Sequence, residues 1–291
     1  MGEKVGRVSG PDEGSVGITL VGGHLSCGYS PLIRLAPRAT FSPEGRRKLN
    51  AALRQALSPA RHPCGGLRVM IEGEPCVLRC SGALWVINHR TLIAADLHLE
   101  KGSAFAARGQ MLPPYDSAAT LDRLTQEVEA LRPAAVILLG DSFHDAASVG
   151  RMAPGDRARL EHLAAGREWI WLEGNHDIQA LAGAMDALPG QVVETMSLGA
   201  LRLIHEPQPG ERAGEIAGHL HPAARVVAHG RGVRRPCFVT DGRRAVLPAF
   251  GAFTGGLDVR DPAIAGLFAD PPMAAALGRD RVHALSWEML R

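Results

Sequence analysis

The stretch Leu92-Ile93-Ala94-Ala95-Asp96-Leu97-His98 decides the fold, because an uninterrupted apolar run ends in a carboxylate and an imidazole two residues apart. A short apolar run without alternation is typical of a strand that is buried on both faces of a parallel sheet. Side chains that directly follow such strands collect along one edge of an α/β sheet. The stretch therefore predicts both a central strand and the start of a polar site.

Four further polar segments follow apolar runs downstream: Gly140-Asp141, Gly174-Asn175-His176-Asp177, His205 and Gly218-His219-Leu220-His221. If each run is a strand, these polar ends meet in one cleft. Imidazoles, carboxylates and an amide oxygen, without cysteine, suit Mn, Fe, Zn and similar divalent ions better than Ca or an iron–sulfur cluster. The set is too large for one ion, so we expect two ions with a bridging carboxylate.

The order of these motifs, D-x-H, G-D, G-N-H-D, H and G-H-x-H, resembles the calcineurin-like metallophosphoesterase superfamily between Asp96 and His221. One such motif occurs by chance in many proteins, but five in this order are specific. Segments 95–102, 140–145, 218–222 and 247–256 also resemble a narrower bacterial group, the phosphoesterases associated with a DNA ligase and a DEAH-type helicase in DNA repair. This second similarity extends from about residue 70 to about residue 257.

The resemblance and the chemistry of the side chains imply how the ligands are shared. Asp96 and His98 lie too close along the chain to serve distant ions, so both are expected to bind the first metal together with His221. The residues expected to bind the second metal are Asn175, His205 and His219. Asp141 is expected to bridge the two ions.

His176 follows a metal ligand and need not bind metal itself. It can therefore face the phosphate and donate a proton to the leaving oxygen or stabilise charge on the phosphoryl group. Asp177 can orient this imidazole. In the mechanism that the resemblance implies, a metal-bound hydroxide attacks the phosphodiester directly, and no covalent enzyme intermediate forms. His176 and Asp177 are the expected catalytic residues.

For several other polar side chains, the sequence fits either a role in the site or a structural or surface role. The superfamily usually has an acid three residues after the bridging aspartate, where this chain has His144 followed by Asp145. Either residue could support the site by hydrogen bonding, or His144 could contact substrate. Lys101 and Arg108 could hold a phosphate backbone or be solvated charges. The same choice, between strand-end surface charge and a path for DNA, applies to Arg231, Arg234, Arg235, Arg243 and Arg244.

Charge and composition divide the chain near residue 70. Residues 1–69 contain ten Lys and Arg against four Asp and Glu, a net charge of +6, whereas residues 70–291 have a net charge of −4. The first part is rich in Gly, Pro and Arg, so we expect a largely disordered extension. It could be a basic arm that touches nucleic acid, or an unstructured segment that precedes a start at Met70. The metallophosphoesterase domain is expected over residues 70–291.

The pattern of apolar residues predicts an α/β fold. Strands are expected at 91–95 and 135–139, and between them a helix over 116–131. This alternation implies parallel pairing, whereas the second half of the chain is rich in strand patterns. Both halves fit a sandwich of two packed sheets with flanking helices. The superfamily resemblance implies the four-layer α/β/β/α arrangement of two mixed sheets.

Cellular location is predicted from what the sequence lacks. No run approaches the roughly 18 apolar residues of a membrane span, so no membrane partner is expected. The first residues show no basic start followed by an apolar stretch, as a secretory signal requires. An odd number of cysteines without C-x-x-C spacing favours free thiols in a reducing cytoplasm: Cys27, Cys64, Cys76, Cys80 and Cys237.

These observations predict a dinuclear metal-dependent phosphodiesterase, and the narrower resemblance implies a single-strand DNA endonuclease in DNA damage repair. It also implies Mn as the metal, with Fe or Zn as alternatives, and a functional association with a DNA ligase and a DEAH-type helicase. The mildly acidic catalytic part keeps a small-molecule or nucleotide phosphoesterase as an alternative. A non-catalytic metallo-scaffold for repair partners is a second alternative, against which the presence of His176 and Asp141 argues.

Overall fold

A computed structural model describes residues 59–110, 113, 115–175, 187–228 and 231–290, with side chains described for all of these except 227, 228 and 231. The chain forms two mixed β-sheets packed face to face, with helices against their outer faces. The expected four-layer α/β/β/α sandwich is confirmed. His176 and Asp177 lie outside the described residues.

The first sheet contains eight strands, which lie side by side in the order in which they occur along the chain. Strands β1 to β5 are antiparallel neighbours, whereas β5 to β8 are parallel. The parallel half is the part that carries the first site motifs at its carboxyl ends. The strands are β1 (Ala60–Arg61), β2 (Leu67–Ile71), β3 (Glu74–Leu78), β4 (Leu84–Val86), β5 (Thr91–Ala95), β6 (Ala135–Leu139), β7 (Glu168–Leu172) and β8 (Gln191–Val193).

The second sheet contains nine strands: β9 (Met196–Leu198), β10 (Leu201–Leu203), β11 (Glu215–Ala217), β12 (Pro222–Ala228), β13 (Arg231–Thr240), β14 (Ala245–Val246), β15 (Leu257–Asp258), β16 (Met273–Leu277) and β17 (Val282–Leu285). Its order is β15-β12-β13-β14-β11-β10-β9, and β16 pairs with both β13 and β17. Strand β11 is parallel to both of its neighbours, β10 and β14. The long antiparallel pair of β12 and β13 extends beyond β11 and β14.

The described helices are α1 (Lys101–Ala107), α2 (Asp116–Leu131), α3 (Ser148–Arg151), α4 (Pro154–Ala164), α5 (Pro262–Ala265) and a 3₁₀ helix (Trp287–Met289). Helices α1 and α2 connect β5 to β6, and α3 and α4 connect β6 to β7, as parallel pairing requires. None of the described helices has the length and apolar character needed to cross a bilayer. The described cysteines, at 64, 76, 80 and 237, are free thiols.

Strand β5 shows why the apolar run at its centre is unbroken. Ile93 and Ala95 face the second sheet, whereas Leu92 and Ala94 face α2 and α4 on the outer side. Because successive side chains of a strand point to opposite faces, a strand covered on both sides needs apolar residues at every position. The buried core on the far side of the second sheet lies under α5 and the 3₁₀ helix, where Ile264 packs against β12 and β13.

The boundary expected at residue 70 falls inside strand β2. Leu67 and Val69 are buried in the core between the sheets, and β2 pairs with β3 along its whole length. The sheet therefore begins upstream of the expected domain start, at Ala60. The boundary at residue 70 was inferred from composition, and residues 65–69 contain two glycines and an arginine. The two apolar side chains of this segment alternate along the strand, so both point to the same buried face.

Candidate metal centre

Six of the side chains predicted to meet at the sheet edges lie close together in two groups. Two groups of three could each hold a metal ion, with their ligand atoms all within 4.8 Å of one another. The first group contains Asp96, His98 and His221, and the second contains Asp141, His205 and His219. The first group has the three residues expected for the first metal, and the second group joins His205 and His219 to Asp141, which was expected to bridge the two ions.

The strand ends explain this convergence. Asp96 directly follows β5, and Asp141 follows its parallel neighbour β6 after Gly140. The backbone pairing continues past both strands, since His98 donates its N–H to the Asp141 carbonyl at 2.9 Å. His205 follows β10 by one residue, and Gly218 donates its N–H to the His205 carbonyl at 3.0 Å. The edges of the two sheets therefore face one another across the site.

In the first group, two imidazoles and a carboxylate converge. The Nε2 atoms of His98 and His221 lie 3.2 Å apart, and His221 Nε2 lies 3.4 Å from Asp96 Oδ1. Two nitrogens that each bind one ion at about 2.1 Å are separated by about 3 to 3.5 Å. The observed spacing fits a shared ion.

The second group has the same spacing. His219 Nδ1 lies 3.2 Å from His205 Nε2, which in turn lies 3.4 Å from Asp141 Oδ1. The other ring nitrogen of His205 lies 3.3 Å from the Leu139 carbonyl, a partner that can fix the ring so that Nε2 faces the group.

Asp96 ties the two groups together. Its carboxylate accepts the backbone N–H of His219 at 2.9 Å and 3.1 Å, and its Oδ1 lies 3.7 Å from His205 Nδ1. The carboxylate is fully buried. Because a buried carboxylate without compensation is costly, this position favours nearby positive charge, which a divalent ion supplies.

The backbone at the site adopts a conformation that side chains other than glycine rarely adopt. Five predicted ligands have φ between 44° and 67°: Asp96, His98, Asp141, His219 and His221. Each such residue costs of order 1–3 kcal/mol, and such strain clusters at functional sites because the surrounding structure imposes it. The strained turns point consecutive ligands toward a common centre.

The protonation of the imidazoles also fits metal binding. Burial, followed by the neighbouring His221, lowers the pKa of His98 to about 3, so this ring is neutral at physiological pH and its lone pair is available. For His205, burial lowers the pKa, but Asp141 and Asp96 more than offset this effect, and the net change is upward. A divalent ion would take the place of the proton that these carboxylates favour.

The turn after β7 passes close to Asp141. A Cβ atom at Gly174 would lie 2.1 Å from the backbone nitrogen of Asp141, so glycine is required for this approach. Asn175 follows directly and is exposed. The turn is thus adjacent to the second group, where Asn175 was expected to act.

The residues with two interpretations beside the site have different contacts in the structure. Asp145 accepts a hydrogen bond from Arg151 at 2.7 Å and from Ser148, so it supports the loop after β6. Burial raises the pKa of Asp145, but Arg151 and Ser148 lower it by more. The net pKa is below the ordinary value, so the carboxylate stays ionised. The His144 ring lies 6.4 Å from the His98 ring, at the edge of the first group. Lys101 donates to the Phe253 carbonyl at 3.0 Å.

Of the five arginines, Arg231 lies outside the described side chains, and the other four do not share one environment. Arg244 is buried and pairs with Glu215, so it is not a strand-end surface charge. Arg243 is exposed and pairs with Glu211 at 3.2 Å. Arg234 and Arg235 line a groove beside His221. Sequence reasoning missed Arg225, which lies directly opposite Arg234 in the β12–β13 pair, because only the register of the two strands brings it there.

Comparison with known proteins identifies the family. The model of the calcineurin-like phosphoesterase family matches residues 89–232. The nuclease MPE of Pseudomonas putida is 31% identical over 76% of this chain and 100% of its own, with a TM-score of 0.59. The phosphoesterase YfcE of E. coli is 15% identical over 67% of this chain and 98% of its own, with a TM-score of 0.36. No curated protein sequence matches the chain. The match to the family model and the similarity to the nuclease show that the chain belongs to the calcineurin-like phosphoesterase family and is a metal-dependent phosphoesterase.

Proposed function

We propose that this phosphoesterase is a dinuclear phosphodiesterase that cuts single-stranded DNA internally during DNA repair. The observation that carries the proposal is the pair of three-residue groups, joined through the buried Asp96. In this proposal Asp96, His98 and His221 would hold the first ion, Asn175, His205 and His219 would hold the second, and Asp141 would be shared between them.

Divalent ions bound there would lower the pKa of water to near neutrality and neutralise phosphate charge. The chain itself contributes orientation. Asp96 holds the His219 backbone, and the Leu139 carbonyl holds the His205 ring, so the ligands keep their positions as substrate enters. His176 protonates the leaving oxygen, and Asp177 orients that imidazole, as general acid catalysis requires.

The substrate class is supported by two observations. The relative with 31% identity is a nuclease. In addition, the groove beside His221 has exposed walls at Arg234 and Gly255, so a strand could enter from solvent. The repair context and an association with a DNA ligase and a DEAH-type helicase come from the motif resemblance. Mn is the proposed metal on the basis of the motif resemblance. The ligand set also accepts Fe or Zn, and availability decides among them.

The test is cleavage of end-labelled DNA by metal-stripped protein that has been given Mn again. We expect internal cuts in the single strand but not in the duplex, and loss of cutting in His176→Ala and Asp141→Asn. Metal content, measured on the same samples, should be about two ions per chain in the His176 variant and lower in the Asp141 variant.

Two results would contradict the proposal in different ways. If DNA stays intact while a chromogenic phosphodiester is hydrolysed, the site is correct and the substrate is a small molecule. If Asp141→Asn leaves both metal content and hydrolysis unchanged, the ligand assignment is wrong. A protein that binds metal but hydrolyses neither substrate would instead be a scaffold.

A further inference from the structure

A groove of about 200 Å³ lies directly beside the candidate metal centre. Its floor and walls include His221 from the first group, Ala223 from β12, and Arg234 and Pro236 from β13. The opposite wall is the loop 254–256, which connects the turn after Phe250 to β15.

The register of β12 and β13 puts two arginines in line with this groove. Ala223 is paired with Pro236, and Arg225 is paired with Arg234, so these four side chains share one face of the strand pair. Ala224, which lies between Ala223 and Arg225, is buried on the opposite face, and its partner Arg235 is exposed and also lines the groove. At about 3.3 Å per residue, Arg225 lies about 7 Å beyond Ala223 along the strand.

Both arginines are exposed, and their charges are uncompensated within the described residues, where neither has an acidic side chain within ion-pair distance. The Arg225 guanidinium lies over Gly232, where a Cβ atom would be 3.4 Å from Nε. The Arg225 side chain thus extends toward the far end of the strand pair, and on the near side the small Ala223 separates both arginines from His221. An extended anion fits this arrangement better than a compact one.

The loop wall is held in place by basic side chains from both ends. Lys101 donates to the Phe253 carbonyl at 3.0 Å, Arg123 donates to the Phe250 carbonyl at 2.8 Å, and Arg234 donates to the Gly256 carbonyl. A Cβ atom at Gly256 would lie 2.7 Å from the His221 carbonyl and 3.0 Å from the Ala223 Cβ. Glycine therefore keeps the wall close to the metal ligand.

An aromatic ring stands at the end of this wall. The Phe253 side chain is 42% exposed, although its backbone is fixed by Lys101. Exposed aromatic rings beside a basic track are platforms on which unpaired bases stack, and such stacking tolerates any base. A duplex keeps its bases stacked on one another, so the ring favours a single strand.

We propose that this basic groove, which Arg234 and the loop 254–256 line and which Arg225 and Phe253 flank, binds single-stranded nucleic acid beside the cleaved bond. Arg225 and Arg234 hold backbone phosphates next to the one at the metals, since a guanidinium fork matches phosphate geometry, and Phe253 stacks on a base. The inference rests on the proposed nuclease function and assigns its substrate-binding residues.

Binding without turnover tests the groove directly. Metal-free protein is titrated with fluorescein-labelled oligothymidylate, and anisotropy is measured over a range of salt concentrations. We expect the variant with Arg225→Ala and Arg234→Ala to bind about tenfold more weakly and to lose about 0.7 from the salt slope for each arginine removed. Phe253→Ala should weaken binding without changing the slope.

Arg68→Ala is the matched control, because Arg68 is an exposed arginine at a strand position of the other sheet. It should bind as the unaltered protein does. Equal affinity and equal salt slope in the double arginine variant and the Arg68 variant would overturn the inference, as would an unaltered protein that does not bind the probe.

A cleavage arm separates this inference from the proposed function. The ratio of kcat/KM for the oligonucleotide to that for a chromogenic diester should fall about tenfold in the double arginine variant. If DNA is cut and this ratio does not change, the function stands and the groove assignment is wrong. If the unaltered protein binds the probe through these arginines but never cuts it, the groove stands and the nuclease function fails.

Discussion

At the scale of single residues, the buried pair of Arg244 and Glu215 gives a direct test of electrostatics in the core. Arg244 is 2% exposed, and its guanidinium also donates to the carbonyls of Gln208, Gly210 and Leu267 at 2.9 to 3.0 Å. Burial raises the pKa of Glu215 more than Arg244 lowers it. Desolvation therefore dominates at this carboxylate, and the arginine limits its cost.

Arg244→Met should lower the free energy of unfolding by about 3 kcal/mol or more, because it leaves a buried carboxylate without its partner. The double variant with Glu215→Leu should recover most of this loss. Arg243→Ala is the control, since that side chain is 56% exposed in its ion pair, and it should cost about 0.5 kcal/mol. Urea titration measures all three, and equal losses for Arg243 and Arg244 would contradict the argument.

The same pair predicts a pH dependence. Without Arg244, the pKa of Glu215 in the folded state should rise further above its unfolded value of about 4.3. A raised folded pKa contributes stability that is present below the unfolded pKa and is lost as pH rises through the folded pKa. The stability deficit of Arg244→Met should thus shrink as pH falls from about 7.5 to about 5. A constant deficit across that range would show that lost packing, not charge, is responsible.

At the scale of elements, some strands and helices are apparent from their own sequence, whereas others form only because of contacts with distant parts of the chain. Strands β5 and β6 and helix α2 have the expected bounds, because burial on both faces or helical periodicity is visible in each segment alone. Strand β16, Met-Ala-Ala-Ala-Leu, gives no strand signal, since alanine favours helices. It is extended because it pairs with β13 and both of its faces are buried.

The site shows the same division. Asp96, Asp141 and His205 could be predicted because each follows a strand that is apparent in its own sequence. The basic groove could not, since Arg225 and Arg234 meet only through the pairing register of β12 and β13. Arg244 looked like a surface charge for a related reason: its partner Glu215 is distant along the chain and reaches it through the β11–β14 pair.

The turn from β6 into the site depends on Gly140. Its φ is 71°, and a Cβ atom would lie 2.1 Å from His205 Nδ1. Gly140→Ala should therefore displace His205, weaken binding of one ion and cost about 2 kcal/mol of stability. Gly155→Ala in α4 is the control, because nothing lies within 4 Å of its Cβ position. Mn titration and thermal unfolding measure both effects, and identical behaviour of the two variants would refute the role of Gly140.

At the scale of the whole molecule, the open question is where the catalytic domain begins. The similar nuclease is covered over its full length by 76% of this chain, so about a quarter of the chain has no counterpart in it. We propose that residues 1–58 are dispensable for hydrolysis. The described sheet begins at Ala60, and Val282 donates its N–H to the Gly65 carbonyl, so the residues just before Met70 also contact the last strand, β17.

Two truncations decide between the start inferred from composition and the start visible in the sheet. A chain that begins at residue 59 should keep the melting temperature and the chromogenic diesterase activity of the full chain. A chain that begins at Met70 removes β1 and the buried side chains of Leu67 and Val69, each worth about 1.5–3 kcal/mol when fully buried. Since domains are stable by only 5–15 kcal/mol, it should melt at a clearly lower temperature. Equal melting temperatures would show that the first two strands add nothing to the core, whereas loss of activity in the longer truncation would assign a catalytic role to residues 1–58.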